Sequence, residues 1–141
     1  MPAVRLFAAT LFLFVFTTSL TAAEWKVLFD GKDLSQWEAV KAPLKAWKVE
    51  DGILYCTARD GWLASKDQYD NFELELEFKL YEAANSGVFL RAPREGDPAW
   101  DGLEIQILDD TAPKYRDLES YQKCGGLYGC VGPSADAKKK P

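Results

Sequence analysis

Residues 72–80 constrain the fold more than any other stretch of this 141-residue chain. Five apolar side chains alternate there with four charged ones. In an extended strand, successive side chains project to opposite faces, whereas a helix would scatter these five around its axis. The pattern therefore predicts a β-strand with one face in the core and the other in water.

Beyond residue 23, the chain consists largely of short β-prone runs that are separated by Gly, Pro, Asp and Asn. Asp51-Gly52 predicts a hairpin, because these residues supply the positive φ angles that a type I′ turn requires. Further strands are predicted at residues 26–29, Trp62–Ser65, residues 87–91, Leu103–Leu108 and residues 126–131. No long helix is predicted, so the fold class is all-β, an antiparallel sandwich or barrel.

The first 23 residues are typical of a secretory signal peptide. Arg5 precedes an apolar run over residues 6–16, and small residues at Thr21 and Ala23 place cleavage after Ala23. The run is shorter than the roughly 20 residues that cross a bilayer, so no membrane span is expected in the mature chain. We predict an exported protein, periplasmic or extracellular, with one domain over residues 24–141.

Charge and composition exclude several functional classes. Removal of residues 1–23 takes away one positive charge, so the net charge of -5 becomes -6, which argues against nucleic acid as a partner. The chain contains no histidine, so proton transfer would depend on carboxylates, Tyr, Lys or a metal. Cys56, Cys124 and Cys130 leave open whether one disulfide forms or all three remain thiols.

The most informative polar residues lie on the strand predicted around Glu104. Leu103, Ile105 and Ile107 share one face, which leaves Glu104 and Gln106 on the other. Residues two apart on a strand are roughly 6.6 Å apart. Both side chains can therefore contact one sugar ring, as an acceptor or base beside an amide. An ordinary solvated strand face is the alternative.

A neighbouring run, residues 85–93, places Phe89 and Arg91 on the face opposite to their aliphatic neighbours. An aromatic ring beside a guanidinium suits a sugar, whose apolar ring face stacks while its hydroxyls bond to charged groups. We therefore expect Arg91 and Glu104 to project together into one concavity. A cross-strand ion pair without function is the alternative.

Three further residues complete the candidate site. Trp100 and Tyr128 can supply stacking surface at the rim of a groove, although aromatic residues in a sandwich are more often core. Asp109 is a candidate polar contact to the sugar. Together with Asp110 it could bind Ca²⁺, but two adjacent carboxylates fall short of a coordination set, so no cofactor is predicted.

Four segments occur in order along the chain: Leu28-Phe-Asp-Gly-Lys-Asp-Leu-Ser-Gln-Trp37, Trp47-Lys-Val-Glu-Asp-Gly52, Asn85-Ser-Gly-Val-Phe-Leu-Arg91 and Gly102-Leu-Glu-Ile-Gln-Ile-Leu-Asp-Asp110. In this combination the chain resembles the 3-keto-disaccharide hydrolase domain family. The resemblance implies a concanavalin-like, LamG-like jelly roll in exported bacterial proteins that act on sugars oxidised at C3. Because that family continues with further strands, the resemblance also implies a domain that is incomplete at its C-terminus.

The chemistry implied by the resemblance is cleavage of a glycosidic bond in a 3-keto-glycoside or disaccharide. The ketone acidifies the C2 hydrogen, so one base removes it, the glycosidic oxygen leaves from C1, and water adds back. The resemblance implies Glu104 as that base. Arg91, Asn85 and Gln106 would place the ketone and stabilise its oxyanion.

Two other functions stay open. A conventional jelly-roll endo-glycosidase commonly carries a Glu-x-Asp-x-x-Glu pattern, which in this chain reads Glu104, Gln106 and Asp109, with an amide where the acid is needed. A non-catalytic carbohydrate-binding, LamG-type module would bind a glycan at Phe89, Arg91 and Glu104 without releasing product.

Overall fold

The computed structural model describes residues 24–57, 60–135 and 137. This part of the chain consists of six strands and three single-turn 3₁₀ helices, so the predicted all-β class is confirmed. No helix within it has the length and apolar character to cross a membrane. The predicted signal peptide lies outside the described residues.

The strands form three antiparallel pairs, β1–β4, β2–β3 and β5–β6. Their bounds are β1 (Trp37–Val40), β2 (Trp47–Glu50), β3 (Ile53–Cys56), β4 (Trp62–Ser65), β5 (Asn85–Leu90) and β6 (Leu103–Leu108). The 3₁₀ helices span Leu44–Ala46, Pro113–Tyr115 and Ser120–Gln122. Each ladder in the described chain is a separate pair, and residues 26–29, predicted as a strand, lie outside all three.

The hairpin predicted at Asp51-Gly52 is confirmed. β2 and β3 pair with Glu50 opposite Ile53, which leaves two residues in the turn. The φ angles are 51° at Asp51 and 77° at Gly52, both in the left-handed region that a type I′ turn requires. Glycine adopts this region freely and aspartate tolerates it better than most residues.

The buried apolar residues lie mainly at the end of β6 and in the turns that follow it. They are Ile107, Leu108, Ala112 and Cys124, together with Trp47 at the start of β2. Cys124 is buried while Cys56 and Cys130 are exposed, and no disulfide joins these three residues. The buried thiol therefore contributes to the core as a small apolar group.

The second edge of β6 is covered by the chain around Leu127 rather than by a regular strand. Isolated bridges join Leu127 to Ile105 and to Val131. The Tyr128 N–H donates to the Glu104 carbonyl at 2.9 Å. The strand predicted over residues 126–131 is therefore not confirmed: this segment forms only isolated bridges, because a turn between Leu127 and Val131 folds it back on itself at the edge of β6.

Residues 72–80 are not confirmed as a sheet strand, because they belong to no ladder in the described part of the chain. Their alternation still gathers apolar side chains on one side, where they meet β5 and β6 in a groove of about 300 Å³. The groove is lined by Phe72, Leu74, Leu76, Val88, Leu90 and Ile105. Alternation decides which side chains share a face, whereas a ladder also requires a neighbouring backbone.

The turn after β6 is held by two carboxylates. Asp109 accepts hydrogen bonds from the Ala83 N–H at 2.8 Å, the Thr111 N–H at 3.1 Å and the Thr111 hydroxyl at 2.6 Å. Asp110 accepts one from the Cys124 N–H at 3.0 Å. Both side chains therefore tie loops to the end of β6, a structural use that the sequence analysis did not anticipate.

Replacement of Asp109 by Ala is expected to lower the free energy of unfolding by about 1–3 kcal/mol, because three donors lose their acceptor. The matched control is Asp117→Ala at an exposed position, expected to change stability by less than about 0.5 kcal/mol. Urea unfolding followed by tryptophan fluorescence measures both. Equal losses in the two variants would contradict this role of Asp109.

Candidate functional site

The face of the β5–β6 pair that points away from the apolar groove carries the centre of the predicted site. Three cross-strand pairs share this face: Asn85 with Leu108, Gly87 with Gln106, and Phe89 with Glu104. The strand period of two places Val88, Leu90 and Ile105 on the opposite face, where they line the groove. Glu104 is therefore held on a defined side of a rigid ladder.

The Glu104 carboxyl is half-buried. This burial raises the pKa of Glu104 above its usual value, and the negative charge of Asp97 raises it further. Both effects disfavour the ionised form. A half-buried carboxyl with a raised pKa beside a second carboxylate has the property expected of a group that exchanges protons with a substrate.

The loop between β5 and β6 brings Asp97 close to Glu104. Two turns fix this loop: the Asp97 N–H donates to the Asp101 carboxylate at 2.8 Å, and the Asp97 carboxylate accepts from the Ala99 N–H at 2.9 Å. The sequence did not indicate Asp97 as a site residue, because Asp97 lies in the loop between β5 and β6, where no alternation relates it to Glu104. The one sequence signal is the turn-forming Asp97-Pro98 dipeptide, which marks a turn but not what the turn approaches.

The two predicted stacking residues are brought together beside Glu104. The rings of Trp100 and Tyr128 meet edge to face, with centroids 6.1 Å apart and planes at 74°. Trp100 is 72% exposed, an unusual position for the largest aromatic side chain. The Tyr128 backbone also bonds to that of Glu104, so the residue that carries one of these rings is a direct neighbour of Glu104 across the edge of β6.

A second pair of aromatic side chains joins β4 to β5. Phe89, opposite Glu104, packs edge to face on Trp62 with centroids 6.5 Å apart. The Lys41 ammonium lies 5.4 Å from the centre of the Trp62 ring and donates to the Gly96 carbonyl at the start of the loop. Lys41 and Trp62 were not predicted for the site, because only tertiary packing brings these earlier segments to it.

Arg91 does not share the Glu104 face as expected. β5 ends at Leu90, and the Arg91 φ of 54° turns the chain, so the alternation that would align Arg91 with Phe89 stops one residue earlier. The guanidinium donates to the Asp70 carbonyl at 2.9 Å. Ion pairs within the described chain link other residues, and none joins Arg91 to Glu104.

The remaining predicted site residues lie away from Glu104 or are enclosed. Gln106 is only 4% exposed, and its Oε1 accepts from the Ile107 N–H at 3.0 Å, so it is not the wetted amide that was expected. Asn85 is exposed, but it lies four positions before Phe89 along the strand, roughly 13 Å away. Asp109 is engaged in its turn.

No cluster of three or more potential metal-ligating side chains occurs among the residues that the structure describes. The groups that the site offers are Glu104, Asp97 and the aromatic rings of the neighbouring residues. These groups combine one half-buried carboxyl, a nearby negative charge and stacking surface, which is a combination suited to a sugar.

Most of the chain matches one known protein family. Residues 24–141 match the 3-keto-alpha-glucoside-1,2-lyase-like domain family. The chain belongs to this family. The resemblance inferred from the four ordered segments is thereby confirmed.

Two known proteins are similar to this chain. A 3-keto-disaccharide hydrolase of Bacteroides thetaiotaomicron is 29% identical over 106 residues, which are 66% of this chain and 36% of that protein. The crystal structure of a "putative glycosyl hydrolase" from Parabacteroides distasonis superimposes with a TM-score of 0.66 at 34% identity. That match covers 83% of this chain and 58% of the other. The chain therefore spans about a third of the Bacteroides protein and somewhat over half of the Parabacteroides protein.

We expect the raised pKa of Glu104 to appear in the pH dependence of stability. Ionisation of Glu104 is less favourable in the folded state than in the unfolded state. The resulting loss of stability is absent below the ordinary glutamate pKa of 4.5 and complete above the raised pKa of Glu104. Glu104→Gln should therefore gain stability relative to the wild type as pH rises through this window. Asp97→Asn should narrow the pH range over which this loss of stability develops, because it removes one cause of the raised pKa of Glu104.

Urea unfolding of the wild type and both variants at a series of pH values measures these differences. A wild-type to Glu104→Gln difference that stays constant across pH would contradict the pKa shift.

Proposed function

We propose that the complete protein cleaves glycosidic bonds of 3-keto-glycosides, with Glu104 as the base that removes the C2 proton. The observation that carries this proposal is the half-buried Glu104 carboxyl with its raised pKa, in a chain of the 3-keto-alpha-glucoside-1,2-lyase-like domain family. The name of the Bacteroides relative, 3-keto-disaccharide hydrolase, supports the same substrate class.

The reaction divides into elimination and hydration. The Glu104 carboxylate takes the proton from C2, and the electron pair of that bond forms the enolate of the C3 ketone. The enolate then re-forms the ketone as a C1–C2 double bond develops and the glycosidic oxygen leaves C1, taking a proton from water. The hydroxide left from that water takes the proton from Glu104, which restores the carboxylate. Addition of water across the double bond returns hydrogen to C2 and hydroxyl to C1.

A raised pKa suits this base. General-base catalysis is most effective when the pKa lies near the working pH, since the group must be ionised and still bind the proton well. Burial and the charge of Asp97 both move Glu104 in that direction. The ketone makes the hydrogen on C2 more acidic, so one carboxyl is sufficient for the proton transfer.

The surrounding residues supply binding rather than proton transfer. The exposed Trp100 ring and its partner Tyr128 offer stacking surface for the apolar face of a sugar. Arg91 is exposed and has further donors beyond the one bonded to Asp70, so it can contact substrate hydroxyls from the end of β5. Gln106 and Asp109 are assigned no substrate contact, because Gln106 is buried and both carboxylate oxygens of Asp109 accept hydrogen bonds within the protein.

The proposal includes the context of the complete protein. The apolar run before residue 24 supports export to the periplasm or the cell exterior. The antiparallel pairs and the superposition on the Parabacteroides protein support a LamG-like sandwich for the complete domain. The three pairs described above would then be parts of its two sheets.

A conventional glycosidase is a second candidate, favoured by one specific observation. Asp97 supplies the second carboxylate that the strand pattern around Glu104 lacked. Two carboxyl groups flanking a glycosidic bond are the usual requirement for hydrolysis of an unoxidised sugar. Release of reducing ends from an unoxidised β-glucan would favour this candidate over cleavage of 3-keto-glycosides.

Glu104→Gln in the full-length protein is expected to lower turnover of a 3-keto-glucoside by about 10²–10⁴-fold, because the amide cannot accept the C2 proton. The matched control is Glu77→Gln, an exposed glutamate of residues 72–80, expected to retain wild-type turnover. A substrate deuterated at C2 should react more slowly with the wild type.

Undiminished turnover by folded Glu104→Gln would remove Glu104 as the base. Binding of the 3-keto-glucoside to the wild type without product release would instead indicate a carbohydrate-binding module.

A further inference from the structure

Gly87 lies on β5 opposite Gln106 and diagonal to Glu104. A methyl group at this position would stand 2.8 Å from both Cγ and Cδ of Glu104, and closer still to Oε1. Carbon atoms in ordinary contact are about 3.5–4.0 Å apart. The Glu104 side chain therefore lies across β5, in the space that a Cβ of any other residue at position 87 would occupy.

The other neighbours on this face explain why the side chain takes this path. Phe89, directly opposite Glu104, is packed on Trp62. Gln106, the next residue of β6 on the same face, is buried with its Oε1 bonded to the Ile107 N–H. Of these three neighbours, only Gly87 has no side chain that would occupy the space beside Glu104.

The backbone itself does not require glycine here. Gly87 lies within β5 and is not among the glycines with positive φ, so alanine can adopt its conformation. The atoms in the way of a Cβ belong to the outer part of one flexible side chain. Glycine at this position is therefore explained by the Glu104 side chain rather than by backbone geometry.

Building on the proposed function, we propose that Gly87 is the positioning residue for the Glu104 base. Its missing side chain lets the carboxyl lie flat across β5 and partly out of water, instead of standing out into solvent. Alanine at position 87 would push the carboxyl outward while leaving both strands paired. The base would then be displaced from the substrate and more hydrated.

The test uses Gly87→Ala in the full-length protein. NMR of ¹³C-labelled glutamate should show the pKa of Glu104 moving down toward the ordinary value, because the displaced carboxyl regains water. With a 3-keto-glucoside, kcat should fall about 100-fold, since a displacement near 1 Å has an effect of that order, while KM changes little. The acid limb of the pH profile should move to lower pH.

The matched control is Gly52→Ala in the β2–β3 turn. Its φ of 77° makes alanine unfavourable there, but an added methyl group meets no atom within 4 Å. This variant should lose stability while the pKa of Glu104 and kcat stay unchanged. A matching change of pKa and kcat in both variants would overturn the positioning role.

A double-mutant cycle with Glu104→Ala tests competition for one space. Because alanine lacks the Cγ and Cδ atoms that a methyl group at position 87 would meet, Gly87→Ala should cost less stability in the Glu104→Ala background than in the wild type, and additive losses of stability would overturn the proposal. If Gly87→Ala does not fold, Glu104→Ala should restore folding; no restoration would overturn it as well.

The pKa of Glu104 separates this inference from the proposed function, because it is measured without any reaction. A lowered pKa in Gly87→Ala together with full turnover by Glu104→Gln would refute the proposed base and keep the positioning role. An unchanged pKa in Gly87→Ala refutes the positioning role whatever the turnover.

Discussion

The register of the β5–β6 ladder is the constraint on which the rest of the site depends. It pairs Phe89 with Glu104 and Gly87 with Gln106, which places the carboxyl on one face and the apolar groove on the other. Because the side-chain period of a strand is two, a slip by one residue would turn Glu104 into the groove. The aliphatic residues of both strands oppose such a slip, since they would lose contact with residues 72–80.

The Glu104 carboxyl occupies its position at a cost in stability. Its pKa is raised because burial and the charge of Asp97 both disfavour ionisation, and a fold selected for stability alone would expose or pair such a group. The ladder tolerates the carboxyl because Tyr128 and the β5 backbone hold the strands on either side of it. Groups that cost stability in this way are concentrated at sites where proteins perform chemistry.

Segments far apart in the sequence converge on this one face. Lys41 comes from the turn after β1, Trp62 from β4, Asp97 and Trp100 from the β5–β6 loop, and Tyr128 from the edge of β6. The site is therefore built from several short strands and their loops rather than from one motif.

The sequence by itself determined the all-β class, the Asp51-Gly52 hairpin, strands β4 and β6, the family and the face on which Glu104 lies. Each of these follows from local rules, namely alternation, turn chemistry and ordered motifs. The tertiary structure alone decided that Arg91 turns away, that Gln106 is enclosed, that Asp97 approaches Glu104 and that residues 72–80 join no ladder in the described chain. The physical reason is that a strand pattern fixes the direction of side chains, whereas backbone turns and long-range packing decide what those side chains meet.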